Sequence, residues 1–292
     1  MGRARLRIGV AGAGRAFERL YLPALRMVPE LEAAAIADPR PGDGAGTGIR
    51  RWPSLEAMIG AEPLDGVLVL SPPAFHAEQA GQALAAGLHV LCEKPAALRP
   101  AETEAWPADA LHRFAGAYTR RAWPAYLRAR RQGGRAWAFE LETNGAAWGA
   151  TTQEPLTWDL LPHAIDLAEW VTGSSIAGVR GIRRNARAVS GVFDLKNGGE
   201  FRWRVADGSG YRERLARDGR AIVRRPGRLP WLERLRTPAD IAGVREVLRA
   251  WARFMAGGER PALLADAAAV RRHAAIIESV EREVGAAWAH GR

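Results

Sequence analysis

The chain has 292 residues, 48% hydrophobic and 25% charged, which suits a soluble globular protein of about two domains. One cysteine, Cys92, excludes an internal disulfide framework and any multi-cysteine zinc site, and no metal is expected. The net charge of +10 invites a nucleic-acid reading, but the arginines run the whole length and are interleaved with Asp and Glu, so no specific nucleic-acid partner is expected.

No stretch approaches the roughly 18 apolar residues needed to cross a bilayer. Met1-Gly2-Arg3 leads directly into a strand without a signal-peptide pattern, so a cytoplasmic location and no membrane partner are expected. Of 42 basic residues only two are lysines, Lys94 and Lys196. Lys94 ends the apolar run Leu91-Cys92-Glu93-Lys94-Pro95. It reads either as a strand-end lysine reaching water or as a site needing a compact ammonium on a flexible stem, which a guanidinium does not replace.

In chain order, residues 6–11 predict a buried strand, and 15–27 carry helical spacing broken or kinked at Pro23. A strand over 31–37 ends at Asp38, and a short helix over 53–59 is opened by Ser54. Residues 66–70 form an apolar strand before Ser71-Pro72-Pro73, 74–86 a helix closed by Gly87, and 89–92 another strand. Two helical turns at most over 107–113 precede a last strand near 115–118. Strands without polar alternation, separated by helices, imply a parallel sheet covered on both faces.

The pattern then changes. Strands at 137–143, 180–187, 189–195, 200–205 and 211–215 are separated by turns such as Asn197-Gly198-Gly199. A helix over 160–172 stops at Gly173, and helices over 244–256 and 266–284 follow. The expected fold is α/β: an N-terminal Rossmann-type, doubly wound parallel sheet over 1–116, then a substrate-binding and oligomerisation α+β domain over 117–292 with a mainly antiparallel open sheet. An apolar outer face on residues 187–215 would mark a dimer or tetramer surface.

Gly12-Ala13-Gly14 follows the first strand and opens a helix, where backbone amides approach a pyrophosphate. The turn also brings Arg15, Ala16 and Phe17 to the cofactor, with Phe17 standing where the fingerprint's third glycine belongs. Asp38 ends the next strand, where an acid meets the adenosine ribose hydroxyls, which argues for NAD; Arg40 can attract a 2′-phosphate, which leaves NADP open.

The segments 8–14, Ser71-Pro72-Pro73-Ala74-Phe75-His76, Gly87-Leu88-His89-Val90-Leu91-Cys92-Glu93-Lys94-Pro95 and Asp159-Leu160-Leu161-Pro162-His163-Ala164-Ile165-Asp166 resemble the Gfo/Idh/MocA family of nicotinamide-dependent oxidoreductases; Tyr118-Thr119-Arg120-Arg121 is a fainter match. The resemblance makes Lys94 catalytic, sets Glu93 near the nicotinamide, carries Asp159 and His163 over as the other catalytic positions, and implies a homodimer or homotetramer. Ser71, Pro72, Pro73 and His76 join the cofactor side; His76 either caps its helix or touches the cofactor.

Asp159 and His163 lie one turn apart, and Pro162, tolerated only in a first turn, sets Asp159 near the N-cap. Asp166 then fixes the His163 ring or its helix. His163 has the intrinsic pKa of a base for a hydroxyl proton, and Lys94 suits developing alkoxide charge. Tyr118 and Trp148 are candidate substrate contacts, and Trp123 and Trp148 candidate platforms for a sugar face. The expected activity is hydride transfer between NAD(P) and a sugar, polyol or related compound. A non-catalytic dinucleotide sensor and an NAD-dependent glycoside hydrolase are the alternatives. Leu161 in place of a small glycine, Thr119 in place of an asparagine, and a Gly-rich stretch at 42–48 in place of a helix depart from the family pattern.

Overall fold

A computed structural model of the chain describes residues 5–40, 48–144, 156–225 and 239–289. The chain divides into two compact units, Met1–Thr119 with Ala239–Arg272, and Arg120–Pro238 with His273–Arg292. The first unit thus also takes in Ala239–Arg272, near the end of the chain.

The first unit is built on six parallel strands in the order β3-β2-β1-β4-β5-β6. They are β1 (Leu6–Ala11), β2 (Leu31–Ala37), β3 (Arg50–Trp52), β4 (Gly66–Val69), β5 (His89–Glu93) and β6 (Phe114–Ala117). Gly66–Val69 and Phe114–Ala117 are buried at every position, as strands covered on both faces must be. Strand β3, too short and charged for the apolar pattern to reveal, extends the edge beside β2.

Helix α1 (Leu22–Leu25) follows a π-helical turn, Phe17–Tyr21, which ends just before Pro23. Helix α2 (Leu55–Ala61) begins at Ser54, whose side chain accepts from the Ala57 amide. Helix α3 (His76–Ala85) ends before Gly87, whose φ of 76° is left-handed. The strand order reverses between β1 and β4, so the crevice for a ligand lies beyond their carboxyl ends.

The second unit also has six strands, in the order β12-β11-β7-β10-β9-β8. These are β7 (Ala136–Thr143), β8 (Ile176–Arg184), β9 (Ala188–Leu195), β10 (Glu200–Asp207), β11 (Arg212–Arg217) and β12 (Arg220–Arg225). Only the β7–β10 pair is parallel. Its helices are α4 (Pro124–Gln132), α5 (Leu156–Asp159) and α6 (Leu161–Thr172), the last closed by Gly173 in the left-handed conformation.

Period-two alternation turns Trp137, Phe139, Leu141, Phe201, Trp203 and Val205 into a core shared with Leu161, Ile165 and Ala168. The same alternation turns Glu140, Arg202, Arg204 and Arg214 outward, with Glu140 opposite both Arg204 and Arg214. The outer face is therefore charged, and the apolar subunit face expected over 187–215 is not present among the described residues. Helices α7 (Ala239–Met255) and α8 (Ala267–Ala289) close the described chain.

Helix α7 belongs to the first unit because it buries Val247, Leu248 and Trp251 there. A Cβ placed on Gly66 would lie 2.8 Å from His89 O and 2.9 Å from the Trp251 ring, so β4 begins with a glycine for lack of room. Gly66→Ala is expected to destabilise the fold by about 1–3 kcal/mol through overpacking, read as a lowered urea midpoint. Gly60→Ala, whose Cβ meets nothing within 4 Å inside a helix, is expected to leave the midpoint unchanged or raise it.

Candidate active site

The first half of the site is set by backbone proximity at the reversal point. Gly12 follows β1 with φ of 91°, and a Cβ there would stand 2.6 Å from the Ser71 amide nitrogen. Both the left-handed φ and the close approach demand glycine. Gly14 is open: a Cβ on it would meet only Arg40 Nη2, at 3.7 Å. Gly12 thus makes the tight turn, and Gly14 leaves its backbone exposed.

Arg15 and Ala16 lie in the helical start, and Phe17 is fully buried at the first position of the π-turn. A π-turn widens the helix locally, which accommodates a phenyl ring where the usual fingerprint packs a glycine. The same turn delivers Tyr21, which sequence reading did not single out. Its hydroxyl donates to Glu93 Oε1 at 2.6 Å. Burial and the Glu93 carboxylate hold the Tyr21 phenol well above its ordinary pKa, so it stays a donor. Nothing in the local pattern points to this tyrosine, since its partner is 72 residues away.

Asp38 is buried at the end of β2, and its carboxylate is fully engaged. Oδ2 accepts from the Ala13 amide at 2.8 Å and from Arg40 Nη2 at 2.6 Å, while Oδ1 accepts from Arg40 N and Nε, each at 3.0 Å. Arg51 stands 3.7 Å from Oδ1. Burial raises the Asp38 pKa, but the Arg40 side chain and the two amides outweigh it and hold the carboxyl at about 2.

Ser71 Oγ donates to Gln79 Oε1 at 2.7 Å, and Pro72 and Pro73 lead into a short 3₁₀ turn before α3. His76 neither caps its helix nor faces open solvent. Its ring is 1% exposed, with both nitrogens against backbone carbonyls. Burial lowers its pKa, and the two carbonyls act the other way. Glu93 ends β5 and bonds back through Oε2 to the Lys94 amide at 2.9 Å, while Oε1 takes the Tyr21 hydroxyl. Lys94 is half-buried just past the strand, at the carboxyl edge of the sheet where the reversal point lies. Cys92 is buried, and burial raises its thiol pKa, so it stays an inert core residue. Tyr118 packs in a small cluster with Ala265 and Ala269.

The second unit carries Asp159 and His163, both half-buried. Pro162 occupies the first turn of α6, as expected, but Asp159 is not its N-cap. It ends α5, and Leu160 is the N-cap, with helical dihedrals and no side-chain cap bond. The Leu160 amide already bonds Leu156 O, so one helical turn runs into the next and leaves no free helix start for an aspartate to cap. Asp166 does not orient His163. It pairs in the core with Arg121, at 2.6 Å to Nη2 and 2.9 Å to Nε.

Trp123 is likewise a core ring, 5% exposed, stacked on Tyr126 and covered by the Arg120 guanidinium, which leaves no face for a sugar. Arg120 pairs with the fully buried Glu213 carboxylate, which also takes the hydroxyls of Tyr126 and Tyr211. Trp148 lies outside the described residues. Among the described residues there is no cluster of His, Cys, Asp and Glu that could hold a metal ion, and no helix long and apolar enough to cross a membrane.

The strand order, the glycine turn and the acid ending β2 define a dinucleotide-binding protein of the doubly wound class. Residues 6–110 match the family described as "Oxidoreductase family, NAD-binding Rossmann fold", GFO_IDH_MocA. Inositol 2-dehydrogenase of Leifsonia xyli subsp. xyli is 32% identical over 218 residues, 66% of this chain and 64% of that enzyme. D-glucoside 3-dehydrogenase of Escherichia coli K12 is 34% identical over 100 residues, 32% of this chain and 28% of that enzyme. The matches thus span less than two thirds of these relatives' lengths.

Among solved structures, myo-inositol 2-dehydrogenase of Lactobacillus plantarum superposes with a TM-score of 0.80 at 16% identity, covering 97% of this chain and 98% of that one. Scyllo-inositol dehydrogenase of Lactobacillus casei, with bound NAD(H) and scyllo-inositol, gives 0.77 at 16% identity and 96% of each chain. At such identities the superpositions establish the fold. The likeness to the Gfo/Idh/MocA family rests on residues 6–110 and on these relatives.

The depressed Asp38 pKa has a stability consequence. Its contribution is fully present above the unfolded carboxyl pKa near about 4 and is lost as pH falls through about 2. Because Arg40 is 66% exposed and water screens the pair, the loss is expected to be about 1 kcal/mol. Urea unfolding at pH 5 and pH 2.5 is expected to show a smaller acid loss in Asp38→Asn than in the parent chain; equal losses would remove Asp38 from the acid response.

Proposed function

We propose that the chain is an NAD-dependent oxidoreductase that transfers a hydride between the cofactor and a ring hydroxyl of a sugar or polyol, inositols first among them. The observation that carries this reading is Lys94 at the carboxyl end of β5, in the same sheet edge as a glycine turn whose backbone is left open for a pyrophosphate. The named activities of the inositol and glucoside dehydrogenases support the substrate class.

The chain's residues fit the cofactor. Gly12 and Gly14 with the helix start at Arg15 and Ala16 would receive the pyrophosphate, and Phe17 backs that helix. Asp38 would receive the adenosine ribose once Arg40 moves off its carboxylate, and Arg40 with Arg51 would meet a 2′-phosphate if NADP is used. Ser71, Pro72, Pro73 and Glu93 complete the cofactor side. When bound, the nicotinamide supplies the hydride acceptor or donor.

Lys94 holds the substrate oxygen with its ammonium and stabilises negative charge developing there. His163 takes the hydroxyl proton at a ring nitrogen in oxidation and returns it in reduction. Asp159 orients substrate hydroxyls or the His163 ring. Tyr118 and Trp148 remain proposed substrate contacts. As an oligomer, a homodimer or homotetramer, the protein would associate through Arg–Glu pairing on the outer face of the second sheet.

Purified protein is expected to bind NADH in calorimetry and to reduce NAD with an inositol or aldose in an absorbance screen. Lys94→Ala is expected to lower kcat by roughly a thousandfold or more with cofactor affinity kept, and His163→Ala by roughly a hundredfold or more. Absence of NADH and NADPH binding would sink the enzyme reading, and an unchanged rate in His163→Ala would remove that residue as the base. Sedimentation is expected to show an oligomer that dissociates as salt rises toward about 1 M. A salt-insensitive oligomer would exclude the charged face, and a monomer at low salt would exclude assembly.

A further inference from the structure

The hydride-transfer reading leaves His76 without a task. This residue is the first of α3 and is 1% exposed. Its Nδ1 lies 2.8 Å from Pro95 O, and its Nε2 lies 2.7 Å from Ser71 O. The helix start does not need the ring, since no side-chain cap bond is made there. The two carbonyls belong to different loops. Ser71 follows β4 and is the residue whose backbone abuts Gly12; Pro95 follows Lys94 directly.

A backbone carbonyl can only accept. A neutral imidazole carries one N–H and an imidazolium two, so the ring ties one loop when neutral and both when charged. Burial, with Lys94 behind it, disfavours the charged ring and lowers its pKa, while the Pro95 and Ser71 carbonyls and Glu93 favour the charge. With both ring protons in place the contacts make a brace, with one arm on the loop bearing the ammonium and the other on the loop that backs the glycine turn.

We propose that His76 is a positioning residue: its Nδ1 arm sets the Lys94–Pro95 segment and thereby the ammonium, while its Nε2 arm sets the Ser71 loop behind the glycine turn. The importance of a set ammonium rests on the oxidoreductase reading; the brace itself does not. The two arms are separable because the asparagine amide nitrogen reaches the place of Nδ1 and the glutamine amide nitrogen that of Nε2. Lys94 can be watched alone, because Lys196 is the other lysine and lies exposed in the turn between β9 and β10.

Reductive methylation with ¹³C-formaldehyde marks both lysines. In His76→Gln the Lys94 methyl resonance is expected to move while the Lys196 resonance stays, kcat to fall roughly ten- to hundredfold, and the NADH Kd to hold within about twofold. In His76→Asn the Lys94 resonance is expected to stay near the parent position, and NADH binding to weaken several-fold. Equal effects of the two variants, or an unmoved Lys94 resonance in His76→Gln, would overturn the proposal.

If either variant fails to fold, the parent chain still decides. Carrying ¹⁵N-histidine, it is expected to show a proton on His76 Nδ1 at pH 7 with slowed exchange, and an unprotonated Nδ1 would overturn the Pro95 arm. A parent chain that binds no dinucleotide would sink the oxidoreductase reading and leave the resonance measurements to judge the brace.

Discussion

Two backbones touch at the carboxyl edge of the parallel sheet, and the rest of the first unit is arranged around that contact. Gly12 stands against Ser71 with no room for a side chain between them. Loops at strand ends carry amides and carbonyls that the ladder no longer satisfies, so side chains must close them. Asp38 takes the Ala13 amide, Glu93 takes the Lys94 amide, and His76 faces the carbonyls of Ser71 and Pro95. Asp38, Glu93 and His76 are thus each set against the backbone of a loop at the reversal point. A ligand entering there meets a surface whose polar atoms are already oriented, which is the condition for binding without large reorganisation.

The elements legible in the sequence were those with a local cause. Strand β4 could be read from an unbroken apolar run, α2 from Ser54 at its cap, α3 and α6 from glycines just past their ends, and the dinucleotide turn from strand, glycines and Asp38 in register. Features with a distant cause were not legible. The π-turn at Phe17–Tyr21 satisfies Tyr21 through Glu93, and Arg121 finds Asp166 45 residues along. Asp159 looked like a cap because Pro162 marks a helix start, but the turn before it was hidden: four residues form no period. Helix α7 could be read as a helix, whereas which sheet it covers follows from the fit of Trp251 against Gly66.

Arginine serves as structure throughout the second unit. Arg120 and Arg121 are neighbours in one 3₁₀ turn, and consecutive side chains there diverge. One reaches Glu213 on β11 and the other Asp166 on α6, so a single turn ties the sheet to the helix that carries His163. Both pairs are nearly dry. Desolvation offsets much of their attraction, while removing one partner strands a buried charge at a cost of about 3–5 kcal/mol. Their effect is on arrangement more than on net stability. The forked guanidinium suits this use, because two parallel N–H bonds fix an angle as well as a distance.

That use of arginine sharpens what a lysine means in this chain. Where geometry is to be held, the fold uses guanidinium forks: Arg40 on Asp38, Arg120 on Glu213, Arg121 on Asp166. Lys196 is exposed at a hairpin turn, where any cation would serve. Lys94 is half-buried at the carboxyl end of β5, in a segment whose amide is held by Glu93 and whose next carbonyl faces His76. The backbone on either side of it is therefore fixed. If Lys94 acts as proposed, a compact point charge mounted on a braced backbone suits an oxygen whose position shifts between alcohol and carbonyl better than a planar fork would.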